Sequence, residues 1–92
     1  MTNAQLQERL KQLQKRFLAG DITDNQVLLE LNAVSTALAD GNYQEKIRDA
    51  IRWYKIYASP RQSDKFPGGR AGVRAFFLQE LGSAIDIAGR LA

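Results

Sequence analysis

The side chains best suited to chemistry in this chain are cations and aromatic rings, and they cluster between residues 48 and 74. Arg48, Arg52 and Lys55 follow one another at spacings of four and three, which stacks them along one face of a helix. Arg61, Lys65, Arg70 and Arg74 extend the positive charge. Arg70 falls where a helix starts, and free backbone N–H groups there attract anions. Trp53 and Tyr57 lie one turn apart beside these cations. Two kinds of binding fit the set. Cations with π-faces suit phosphates and unstacked bases, whereas tryptophan, tyrosine and arginine together also make the hot spots of protein–protein interfaces. The plainest account of the same residues is a solvated helix face, with Glu45 and Asp49 within one turn to pair with the arginines.

Catalytic chemistry finds little support. The chain has no histidine and no cysteine. It therefore lacks the side chain best suited to proton transfer near neutral pH, the thiol nucleophile, and the usual zinc ligands. Asp21, Asp24 and Asp40 each stand at an expected helix boundary, where capping and the helix dipole favour aspartate. The glycine-rich stretch FPGGRAG lacks the lysine and hydroxyl residue that end a P-loop. The expectation is a protein that is not an enzyme and takes no cofactor and no metal.

The elements that must position these residues are helical. Leu6, Leu10, Leu13 and Phe17 recur at 4-3-4 spacing, so a helix is expected over about 3–19, ended by Gly20. Thr23 with Gln26 forms a capping box, flanked by Ile22 and Val27 at staple spacing. A second helix follows over about 24–40 on the stripe Val27, Leu31, Val34 and Leu38, with Gly41 ending it. Asn42 with Glu45 suggests a cap for a third helix over about 43–58, lined by Ile47, Ala50, Ile51, Tyr54 and Ala58. Pro60 cannot continue it, and the run SPRQSDKFPGG reads as a mobile loop over 59–69. A fourth helix, about 70–91, carries Val73, Phe77, Leu81, Ala84, Ala88 and Leu91 on one stripe with Phe76, Leu78, Ile85 and Ile87 off it. Gly82 suggests a kink there. So broad an apolar circumference makes this helix either central or a contact with another chain.

Residues 1–92 therefore read as a single all-α domain, a small antiparallel bundle of three to four helices, with the fourth laid across the others. A composition of 45% hydrophobic and 25% charged residues suits a folded core and argues against disorder. The opening MTNAQLQERLKQLQKR lacks the apolar run of a secretory signal, and four charges interrupt the most apolar stretch. No membrane segment is expected, and the cytoplasm is the default location.

Charge is unevenly spread. Residues 1–19, 20–43, 44–75 and 76–92 carry net charges of +3, −4, +5 and −1. Asp21, Asp24, Glu30 and Asp40 are expected to give the first two helices a negative surface, and such a dipolar molecule could pair with copies of itself. The expected function is a protein–protein interaction module, an assembly or regulatory component with a protein partner or a second copy of the chain. The alternative is nucleic-acid binding through the basic surface of residues 48–74. One local consequence is directly measurable: Thr23→Ala should lower stability by about 1 kcal/mol in urea unfolding, through loss of the cap.

Overall fold

The computed structural model describes residues 1–91. Its helices are α1 (Asn3–Leu18), α2 (Asp24–Val34), α3 (Gly41–Tyr57), α4 (Pro60–Ser63) and α5 (Gly69–Arg90). The expected capping box at Thr23 forms, and an equivalent one opens α1 at Thr2. Thr2 and Thr23 each accept the backbone N–H three residues on, and Gln5 and Gln26 reach back to the cap backbone. Gly20 closes α1 in the left-handed region at φ 71°, as its position required.

Four helices form a ring. Arg9 against Glu30 and the five-residue gap between helices make α1 and α2 antiparallel neighbours. Tyr54 bonded to Asp24 and Tyr43 bonded to Val34 make α2 and α3 antiparallel. Contacts from Lys46–Glu80 to Arg70–Tyr57 run the length of α3 against α5 in the opposite sense. Asn3 with Leu91, Gln7 with Ile85 and Phe17 with Phe77 do the same for α1 against α5. The result is an up-down-up-down bundle of the kind short connections favour. The fourth long helix does not lie across the others. It runs antiparallel to α1 and α3 and closes the ring between them.

This placement accounts for the broad apolar surface of α5. Phe77, Leu81, Ala84, Ile85 and Ala88 are buried in the core shared with its neighbours, Val73 is buried nearer the start of the helix, and Leu78 and Ile87 pack partly against the core. The helix also runs unbroken through Gly82. Among the described residues no helix is long and apolar enough to cross a membrane.

Three expected boundaries move. The second helix ends at Val34 instead of residue 40. Leu38 is still buried, as its spacing implied, but turns carry it there. Asn32 and Ser35 bond to the Leu28 and Asn32 carbonyls, and such short polar side chains compete with helix continuation. The third helix starts at Gly41 and is capped by Asp40, whose Oδ1 accepts the Tyr43 N–H at 2.9 Å; Asn42 is not the cap. The expected loop over 59–69 contains α4. Its Ser63 is fully buried, and the chain then passes so close to α5 that a Cβ on Gly72 would come within 2.5 Å of the Pro67 carbonyl oxygen.

Two tyrosines of α3 pin both ends of α2. The Tyr43 hydroxyl donates to the Val34 carbonyl at 2.7 Å, one of the acceptors that a helix C-terminus leaves open. The Tyr54 hydroxyl donates to Asp24 Oδ1 at 2.6 Å in the first turn. Burial pushes the Tyr43 hydroxyl up to about 12 against an opposing pull from Arg9. Burial, then the bond to Asp24, raises Tyr54 as well. A raised phenol means the folded state keeps protons that the unfolded chain releases above about pH 10, so this stabilisation is present below that pH and lost above it. Tyr54→Phe should cost about 1.5 kcal/mol at neutral pH, the lower end for a bond to a charged group. Wild-type stability should fall between about pH 10 and 12, and fall less steeply in Tyr43→Phe, as measured by urea unfolding across that range.

Candidate functional site

The structure distributes the sequence-predicted site residues over three places. Arg48, Arg52 and Lys55 are exposed along the outer face of α3. At about 100° per residue, Arg48 and Lys55 stand roughly 140° and 160° around the helix from Trp53, so they do not surround it. Arg52 is closer, with its guanidinium 5.5 Å from the Trp53 ring centroid and 3.7 Å from Asp49. Arg61 on α4 and Lys65 beyond it are exposed, and neither forms an ion pair among the described residues.

Tyr57, Arg70 and Arg74 belong to the end of the bundle where α1, α3 and α5 meet. The Arg70 guanidinium lies 4.2 Å from the Tyr57 ring centroid, and its Nε donates to the Tyr57 carbonyl at 3.3 Å. Arg74 lies 5.2 Å from the Phe17 ring centroid. The Tyr57 ring also meets Phe17 at 5.7 Å and Tyr54 at 5.5 Å. Its contacts are thus made within the chain, and two of the seven cations cover internal aromatic faces.

Trp53 occupies the third place, the seam between α3 and α5. It stacks on Phe76 with centroids 4.8 Å apart and planes at 18°, and Phe66 meets it edge-on at 5.4 Å. Trp53 and Phe66 are half-buried, while Phe76 remains 43% exposed. Along the same seam, Lys46 Nζ lies 3.1 Å from Glu80 Oε2. The Glu80 carboxylate, by hydrogen bonding and by charge, holds the Lys46 ammonium above the usual lysine range. Phe66 and Phe76 are the members that sequence reasoning missed. Phe76 carried a signal, since it fell off the buried stripe of its helix.

Asp24 binds Tyr54, Asp40 caps α3 and Glu30 pairs with Arg9, so three of the four acids of residues 20–43 are engaged within the chain. Between α1 and α2 an open groove of about 520 Å³ is lined by Leu13, Ile22, Leu29 and Ala33, with Arg9, Arg16 and Glu30 at its edges.

Phe66 ties the segment after α4 to Trp53. Phe66→Ala should therefore speed limited trypsin cleavage at Arg61 and Lys65 several-fold over wild type and shift the emission of Trp53, the only tryptophan, to longer wavelength. Unchanged cleavage would mean that Phe66 does not hold the segment.

The chain matches no protein-family model, no curated protein and no solved structure, so its functional reading rests on its own geometry.

Proposed function

We propose that this chain is a non-enzymatic interaction module, an assembly or regulatory component that binds a protein partner through the Trp53–Phe76 seam. The observation that carries the reading is Phe76, a large aromatic side chain that stacks on Trp53 and still presents 43% of its surface to solvent. A ring held by its neighbour loses little side-chain freedom on binding, which is what makes rigid aromatic pairs effective anchors. Arg52 beside the pair adds a donor at the rim.

The same geometry weighs against nucleic acid. Base stacking needs an open π-face, and Trp53 already has Phe76 on one face and Phe66 at its edge. Tyr57 is covered by Arg70. Stacking a base beside its phosphate needs the cations to flank the rings, yet Arg48 and Lys55 stand away from the aromatic seam and Arg74 lies over Phe17.

The test compares immobilised wild-type chain with Phe76→Asp and Leu18→Asp, whose target positions are both exposed but lie on different helices, α5 and α1. Bound protein should be lost from Phe76→Asp, with affinity weakened about 30-fold or more as for a hot-spot residue. It should be kept by Leu18→Asp and persist as salt is raised. Retention by Phe76→Asp overturns the reading. So does binding that disperses steeply with salt and follows Arg48→Gln with Lys55→Gln, because that is the signature of phosphate contacts.

A further inference from the structure

Folding gathers at one end of the bundle charge that the sequence scatters. The rings of Phe17, Tyr57 and Phe77 meet there, and the bond from Tyr54 to Asp24 adds the start of α2, so residues 15–24 and 54–74 share this end. Lys15 and Arg16 come from α1 and Lys55 from α3. Arg61 comes from α4, Lys65 from the turn beyond it, and Arg70 and Arg74 from the start of α5. The same two spans hold only three acids, Asp21, Asp24 and Asp64, so the end carries +4 while the rest of the chain carries −1.

These cations are also unmatched. The ion pairs among the described residues join Arg9 to Glu30, Lys46 to Glu80 and Arg52 to Asp49, all outside this end. Arg16 and Arg70 bond only to backbone carbonyls, of Asp21 and Tyr57, which leaves their charge uncancelled. Asp24, one of the three acids, is bonded to Tyr54. All seven cations but the half-buried Arg74 are exposed. Crowding like charges opposes the compact state, and nothing within the chain offsets it here.

The aromatic seam opens onto the same end. Trp53 is four residues from the end of α3, and Phe76 is seven from the start of α5. Phe66, whose ring meets Trp53, directly follows Lys65. We propose that the partner anchored at Trp53–Phe76 is acidic, and that its acidic segment runs from the seam across this end of the bundle. The proposal rests on the seam reading for the anchor and adds the chemistry of the partner.

Charge complementarity selects this occupant. A second copy has few free acids to offer, because Glu30, Glu80 and Asp49 are paired and Asp40 caps α3. A nucleic-acid backbone presents evenly spaced phosphates, and the exposed Asp21 and Asp64 stand among the cations to repel them. A protein can place carboxylates against the cations and none against those two acids.

The probe is a fluorescein-labelled oligo-glutamate peptide ending in phenylalanine, titrated with the full chain at low salt. Anisotropy reads binding, and the emission of Trp53, the only tryptophan, reads the seam. The peptide should bind and change that emission. Lys55→Gln with Arg61→Gln and Lys65→Gln should weaken it about tenfold, as expected for three exposed pairs. Lys11→Gln with Arg48→Gln and Arg90→Gln removes equal charge away from this end and should bind as wild type, circular dichroism showing both variants folded. No peptide binding by the wild-type chain, or equal weakening in the two variants, overturns the proposal. So does tighter binding of a duplex oligonucleotide of equal charge, or of phosphatidylserine vesicles. An emission change with no dependence on Lys55, Arg61 and Lys65 overturns it and leaves the seam standing. Binding that needs those cations but leaves Trp53 unchanged overturns the seam as the anchor.

Discussion

The bundle depends on one junction, in which Tyr54 meets Phe17 and Phe77. The three rings come from α3, α1 and α5, and each meets the other two edge to face, with centroids 4.9–5.8 Å apart. Edge-to-face contact sets the positive rim of one ring against the negative face of the next, so the triad fixes orientation as well as burying area. Tyr54 alone carries a hydroxyl, and a hydroxyl taken into a core must find a partner. It finds Asp24 at the start of α2. One residue thereby joins all four long helices, and the connection to α2 is made by the atom that the rest of the junction could not accommodate unpaired.

The shortness of α2 makes that connection necessary. Eleven residues offer only three turns, and an isolated helix of that length is marginal in water. Its buried stripe of Val27, Leu31 and Val34 supplies packing, and α3 supplies the ends. Tyr43 and Tyr54 are eleven residues apart on α3, close to the length of α2, so two hydroxyls on one antiparallel neighbour reach its first residue and its last. Holding the helix by its ends leaves its outer side free of structural duty.

Much of this was legible in the sequence, and the exceptions share a cause. The capping boxes at Thr2 and Thr23, the turn at Gly20 and the buried stripes are local or periodic signals. The early end of α2 was not legible, because Leu38 keeps the helical spacing whether a helix or a turn delivers it to the core. Nor was the order within 59–69, where proline and glycine read as a loop while the burial of Ser63 and the contact of Phe66 with Trp53 are tertiary facts. Among the candidate site residues, Trp53 was identifiable by type. Its partners Phe66 and Phe76 lie 13 and 23 positions away and required the fold.

Charge shows most clearly how far a linear census can mislead. The +5 of residues 44–75 suggested a basic site, and the −4 of residues 20–43 an acidic surface. Folding engages part of each within the chain, by different means. Arginines in the basic stretch are drawn onto aromatic faces, Arg70 onto Tyr57 and Arg74 onto Phe17, where the planar guanidinium keeps its charge while packing as a lid. Carboxylates in the acidic stretch are drawn to helix ends and seams, where Asp24, Glu30 and Asp40 meet a hydroxyl, a guanidinium and a backbone N–H. Among the surface features left without an internal role, two are apolar. They are the half-exposed aromatic pair between α3 and α5 and the exposed Leu29 on α2, two faces on different sides of one small bundle.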